Sequence, residues 1–152
     1  GTNYIANARF GQEVGEALRQ AGVMDGKIVR MENILRHMKA SLVNAPRADT
    51  SLFARLDAFG VNLSQLNTKL RGDQIRGRLN ENSVPSIYGR LRNVSSGALK
   101  TREAPTGTHR MDFKLGKFML NEAQTTLENL LSEINAIEVE LVRRNALQPA
   151  GK

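Results

Sequence analysis

Leu52-Phe53-Ala54-Arg55-Leu56-Asp57-Ala58-Phe59-Gly60-Val61-Asn62-Leu63-Ser64-Gln65-Leu66-Asn67-Thr68-Lys69-Leu70 carries large apolar residues at 52, 56, 59, 63, 66 and 70. The steps alternate four and three without a break. That rhythm draws one narrow apolar stripe along one side of a helix, and such a stripe must be buried against other helices. The same rhythm runs through Phe10, Val14, Ala17, Ala21, Met24, Ile28, Met31, Leu35, Met38 and Leu42. It returns in Val84, Ile87, Leu91, Val94 and Ala98. It returns again in Phe113, Gly116, Leu120, Ala123, Leu127, Leu130, Ile134, Ile137 and Leu141. No strand-like alternation, low-complexity tract or internal repeat is present. The chain is therefore an all-α, antiparallel up-down helical bundle, and its 152 residues suit a single domain with a real core.

Punctuation between the stripes sets the expected helices at about 5–43, 51–71, 84–99 and 107–145. The first stripe keeps its phase through Gly22 and Gly26, so one helix is expected there, with a kink allowed near Gly22. Two such glycines cost roughly 2 kcal/mol relative to alanine. Asn44-Ala45-Pro46 stops it, because the residue before proline is pushed out of the α region. Thr50 or Ser51 caps the second helix and Gly72 ends it. Ser83 caps the third with Pro85 in its first turn, and Thr106 or Thr108 caps the fourth. The polar stretches 72–83 and 100–105 are connections.

Two long helices and two short ones can be assembled in two ways. In a four-helix bundle the short pair lies side by side over half of the long pair, and the remaining halves form a two-helix stalk. The wide apolar surface at Met111, Phe113, Leu115, Phe118, Met119 and Leu120 favours this form. Both termini then lie at one end. The rival is a three-helix bundle whose middle helix is broken, with helices two and three laid end to end. The four-helix form is the expectation.

The formal charge of +7 is concentrated. Residues 69–117 hold eleven Lys/Arg against four acids, and the rest of the chain balances. A basic face of this kind suits an anionic polymer or an acidic neighbouring domain. It lacks the interleaved aromatics of single-strand binders and any recognisable major-groove reader, which argues against nucleic acid. With no cysteine there are no disulfides or thiolate metal sites. No membrane span and no targeting leader is seen in these residues.

Little in the sequence points to catalysis. His37 and His109 lie in different helices without a carboxylate at metal-ligand spacing, and His37 reads as a rim or partly buried histidine. Glu13/Glu16 and Glu133, Glu138 and Glu140 flank the stripes as a solvated face. Asn62-Leu63-Ser64 and Asn93-Val94-Ser95 match a glycosylation pattern inside expected helices, which marks them as chance. Gly89 and Gly97 either give the third helix room for close approach or are simply tolerated in a short helix. No catalytic, metal-binding or cofactor residue is assigned.

The more distinctive signal is Ser83-Val84-Pro85-Ser86-Ile87-Tyr88-Gly89-Arg90-Leu91 followed by Ala104-Pro105-Thr106-Gly107-Thr108-His109-Arg110. With the Phe10-to-Leu42 helix and the Pro46-Arg47-Ala48-Asp49 turn, it resembles the C-terminal helical region of large exported bacterial proteins labelled glycosyl hydrolase, sialidase-like or sortilin-like. The resemblance implies a parent with a β-propeller and an immunoglobulin-like module, located in the periplasm or outside the cell. Any hydrolytic or ligand site would belong to the propeller. This chain would be a non-catalytic structural or protein-interaction domain, with neighbouring domains or another protein as its partner. Tyr88, Arg90, Arg92, His109 and Arg110 are its candidate structural or interaction residues. Of these, Arg110 opposes the macrodipole in a first helical turn, so it is expected to bond helix-end carbonyls or an acid such as Glu103 or Asp112, the alternative being that Arg90 and Arg110 are both solvated.

Overall fold

The computed structural model describes residues 2–44, 50–73, 85–98 and 106–147. Four helices occupy them: α1 (Thr2–Val43), α2 (Thr50–Arg71), α3 (Ile87–Ala98) and α4 (Gly107–Leu147). No strand occurs among the described residues. α1 runs uninterrupted through Gly22 and Gly26. Every stripe position with a described side chain is buried except Leu35 and Leu141, which pack partly buried against the core. One continuous core results, and all six pairs of helices touch.

Cross-contacts fix the directions. Lys39 pairs with Asp57 at 2.9 Å and Asp25 with Arg71, so α1 and α2 are antiparallel along the C-terminal half of α1. Arg55 reaches Glu133 at 3.1 Å, so α2 is also antiparallel to α4. The Tyr88 hydroxyl lies against Gly22, which places the start of α3 beside the middle of α1. The end of α3, at Gly97, meets His109 at the start of α4. Phe10 and Phe113 stack edge to face with centroids 5.4 Å apart at 74°. α1 and α4 are therefore parallel.

This geometry overturns the four-helix expectation. α2 and α3 lie end to end, with Gly72 against Ser86, as the broken middle rod of a three-helix bundle. The start of α1 and the end of α4 consequently lie at opposite ends. Among the described residues there is no two-helix stalk: Phe10 to Ala21 packs with α3 and the start of α4, and Met24 to Leu42 packs with α2 and the rest of α4. The physical reason is coverage. α2 and α3 together supply 22 and 12 residues, about 51 Å of helix. Laid end to end they give each level of the rod three helices, whereas side by side they would leave half of each long stripe with a single partner.

Local chemistry explains the boundaries. Gly72 takes φ +91°, and its N–H donates to the Thr68 carbonyl at 2.7 Å, the left-handed stop that a Cβ disfavours. Ser86, rather than Ser83, caps α3: its hydroxyl accepts the Gly89 N–H at 2.9 Å and its carbonyl the Arg90 N–H. Pro85 precedes that cap instead of standing in the first turn, so α3 is shorter than expected. Thr106 caps α4 through the His109 N–H at 3.1 Å. Thr50 is already helical. Pro46, Ser83, residues 74–83 and the whole of 100–105 lie outside the described residues.

Candidate functional site

The five candidate residues fall into two groups on the half of the rod that contains α3. At the joint between α2 and α3, Tyr88 sits against Gly22, and Arg92 stacks over its ring at 4.6 Å from the centroid. The Asp25–Arg71 ion pair stands at the same joint. Burial and then the Asp25 carboxylate push the Tyr88 phenol above its ordinary value, against the opposite pull of Arg92 and Arg71. Tyr88 thus packs at the joint between Gly22, the Arg92 guanidinium and the Asp25–Arg71 pair.

The second group lies where α3 meets α4. Arg90 reaches Asp112 at 3.7 Å. Its Nε is buried without a hydrogen-bond partner, and so is Nδ1 of His109. The His109 ring occupies the space a side chain on Gly97 would need, since a Cβ there would stand 2.9 Å from Nε2. Close approach at Gly97 is thus a real packing feature, while at Gly89 the neighbour is the Ser86 cap of its own turn. Arg110 departs from expectation. Its guanidinium lies 5.7 Å from the centroid of the Phe10 ring, and Asp112 is taken by Arg90. The π face of a neighbouring helix supplies the negative potential that an acid was expected to provide. Glu103 lies outside the described residues.

Outside these groups arginines engage three of the glutamates, Glu16, Glu133 and Glu140. Glu16 accepts two bonds from Arg19, which together with the charge of that guanidinium hold its carboxyl below the ordinary value. Arg143 does the same for Glu140, and Arg55 binds Glu133. His37 is exposed rather than at the rim, because the buried position is Met38 beside it. No group of three or more metal-ligating side chains gathers among the described residues, and no described helix is long and apolar enough to cross a membrane. A groove of about 430 Å³ between α2 and α4 is bordered by Arg55, Asn62, Gln65, Lys69, Asn129 and Glu133. It is open and holds no nucleophile-base pair.

One feature of the sequence has a different meaning in the fold. The wide apolar surface of α4 splits in two. Phe113 and Leu120 face the core, whereas Met111, Leu115 and Phe118 face solvent at 64%, 39% and 58% exposure. The spacing of 111, 115 and 118 was visible in the sequence, but only the topology shows that nothing among the described residues covers it.

Comparison with protein-family models, curated proteins and solved structures finds no match to this chain.

Proposed function

We propose that this chain is a non-catalytic helical interaction domain, which the motif resemblance would place beside the β-propeller of an exported sialidase-like or sortilin-like protein. The observation that carries the interaction reading is the solvent-facing row of Met111, Leu115 and Phe118 on a helix already buried along its other side. Contiguous exposed apolar side chains with a charged border are what docking surfaces present. Tyr88, Arg90, Arg92 and His109 then act as supports that set α3 and α4 behind this face, and Arg110 borders it. Reading the source gene upstream of this chain tests the appended-domain part. A signal peptide followed by propeller repeats supports it, and a domain of another kind contradicts it.

A second reading has its own observation in the charge of the α3 half. Among the described residues, Arg9, Arg19, Arg90, Arg92, Arg110, Lys114 and Lys117 stand there against Glu13, Glu16 and Asp112. This favours retention of an anionic polymer such as a glycan, with the 69–117 segment as its basic face. Retention on heparin that falls on Lys114→Gln/Lys117→Gln while Phe118→Glu leaves it unchanged would select this reading.

A further inference from the structure

Building on the interaction reading, we infer that the outer face of α4 from Arg110 to Phe118 seats a single amphipathic helix with acidic flanks. At about 100° per residue, Met111, Leu115 and Phe118 lie in one line opposite the Phe113 and Leu120 side. Their steps of four and three repeat the rhythm of every buried stripe in the bundle. A helix with apolar lines on opposite sides is one built to be sandwiched. The outer line spans about 10 Å, two turns of a partner helix laid alongside.

Charge selects the flank of that partner. Arg110, Lys114 and Lys117 repeat the same four-and-three steps one residue away, forming a basic row parallel to the apolar row. All three are exposed, and Arg110 is held in place over the Phe10 ring. Lys117 has the Glu16 carboxylate near enough to feel its charge. On the other side of the apolar row, Asp112 is occupied by Arg90. An incoming helix with Glu or Asp beside its apolar seam matches both rows. A second copy packed antiparallel would set its own basic row against this one and be repelled, and packed parallel it would offer only an Asp112 already occupied by Arg90. A lipid surface would call for apolar side chains spread over a plane, whereas these stand in a single line.

The test uses fluorescein-labelled designed helices with a Leu seam at four-and-three spacing, one flanked by Glu and its twin by Lys. The whole chain should bind the Glu-flanked helix at least tenfold tighter than the twin, with affinity falling as salt is raised. Phe118→Glu should weaken binding at least tenfold with an unchanged melting temperature. Arg110→Gln/Lys114→Gln/Lys117→Gln should erase the preference between the two helices. Equal binding of both helices, or no binding of either, overturns the inference. Co-sedimentation with phosphatidylglycerol vesicles that alone responds to Phe118→Glu would give the face to lipid and overturn it. So would a chain dimer that Phe118→Glu dissociates. Helix binding that survives Phe118→Glu but is lost on Asn62→Glu/Lys69→Glu would sink this inference while leaving the interaction reading standing.

Discussion

In the half of the rod built on α2, Leu52, Leu56, Phe59, Leu63, Leu66 and Leu70 of one unbroken helix fill the space between α1 and α4. In the half built on α3, the described side chains that the middle rod buries are Ile87, Leu91 and Val94, with Tyr88 packed partly buried beside them. This half is marked by singular contacts: Phe10 on Phe113, His109 against Gly97, Tyr88 against Gly22. The α2 half also pairs its surface charges between helices, through Lys39–Asp57, Arg55–Glu133 and Asp25–Arg71. Its exposed Val61, Ile34, Leu131, Val139 and Val142 are scattered or line a shallow groove. The α3 half keeps a basic excess and an aligned apolar row on its outside. Redundant packing makes one half a strut, while the other depends on a few specific fits and leaves a face open.

The largest effect expected is in the strut. Leu56→Ala or Leu127→Ala should each lower the unfolding free energy by about 2–5 kcal/mol, because the cavity left among regular stripes cannot collapse. Urea titration checks this, and a loss below about 0.5 kcal/mol for both would deny a shared core. Native-state hydrogen exchange sharpens the contrast. The α3 amides should open at lower free energy than those of α2, and equal opening would remove the distinction between the halves.

Gly97→Ala probes a singular fit. Its Cβ would meet the His109 ring at 2.9 Å, and the cost should be about 1–3 kcal/mol. Adding His109→Ala should recover part of that loss in the same urea titration. A neutral Gly97→Ala would show that the ring moves aside freely.

Tyr88 gives a smaller, pH-dependent signature. Its folded pKa is raised, so the neutral phenol is the form the fold favours. The associated stability is complete below the unfolded value of about 10 and is lost as pH rises through the folded one. In a Tyr4→Phe chain, tyrosinate absorbance at 295 nm should therefore appear later than in the unfolded protein, and Asp25→Asn should bring it earlier. Titration at or below the unfolded value would contradict burial at the joint.

Phe118→Ser should change stability least, within about 0.5 kcal/mol, as expected of an exposed site. A loss of several kcal/mol would mean that the outer row is already covered.

The four-three rhythm was sufficient to identify the core residues, because a stripe of Leu, Ile, Met and Ala at that spacing has only one way to avoid water. It could not choose the topology. Met111, Leu115 and Phe118 looked like a second packing seam for a neighbouring helix, and a stripe pattern carries no sign of which neighbour is present. Arg110 and His109 were legible as residues needing an explanation, but their partners Phe10 and Gly97 lie about 100 and 12 residues away. Ser86 could have been recognised as the cap, since its hydroxyl stands three residues ahead of a free helical N–H, as the first-turn rule requires.

The arrangement of α1 and α4 is the claim on which both halves rest. The chain has no cysteine, so Gln12→Cys/Val139→Cys takes two spin labels at defined exposed sites. With α1 and α4 parallel and Phe10 level with Phe113, Gln12 stands level with Leu115, and the labels are separated by about 36 Å along the rod. Pulsed dipolar spectroscopy should give about 35–40 Å with no population below about 20 Å. A short distance would put the ends of α1 and α4 together, restore the side-by-side four-helix form, and contradict the account.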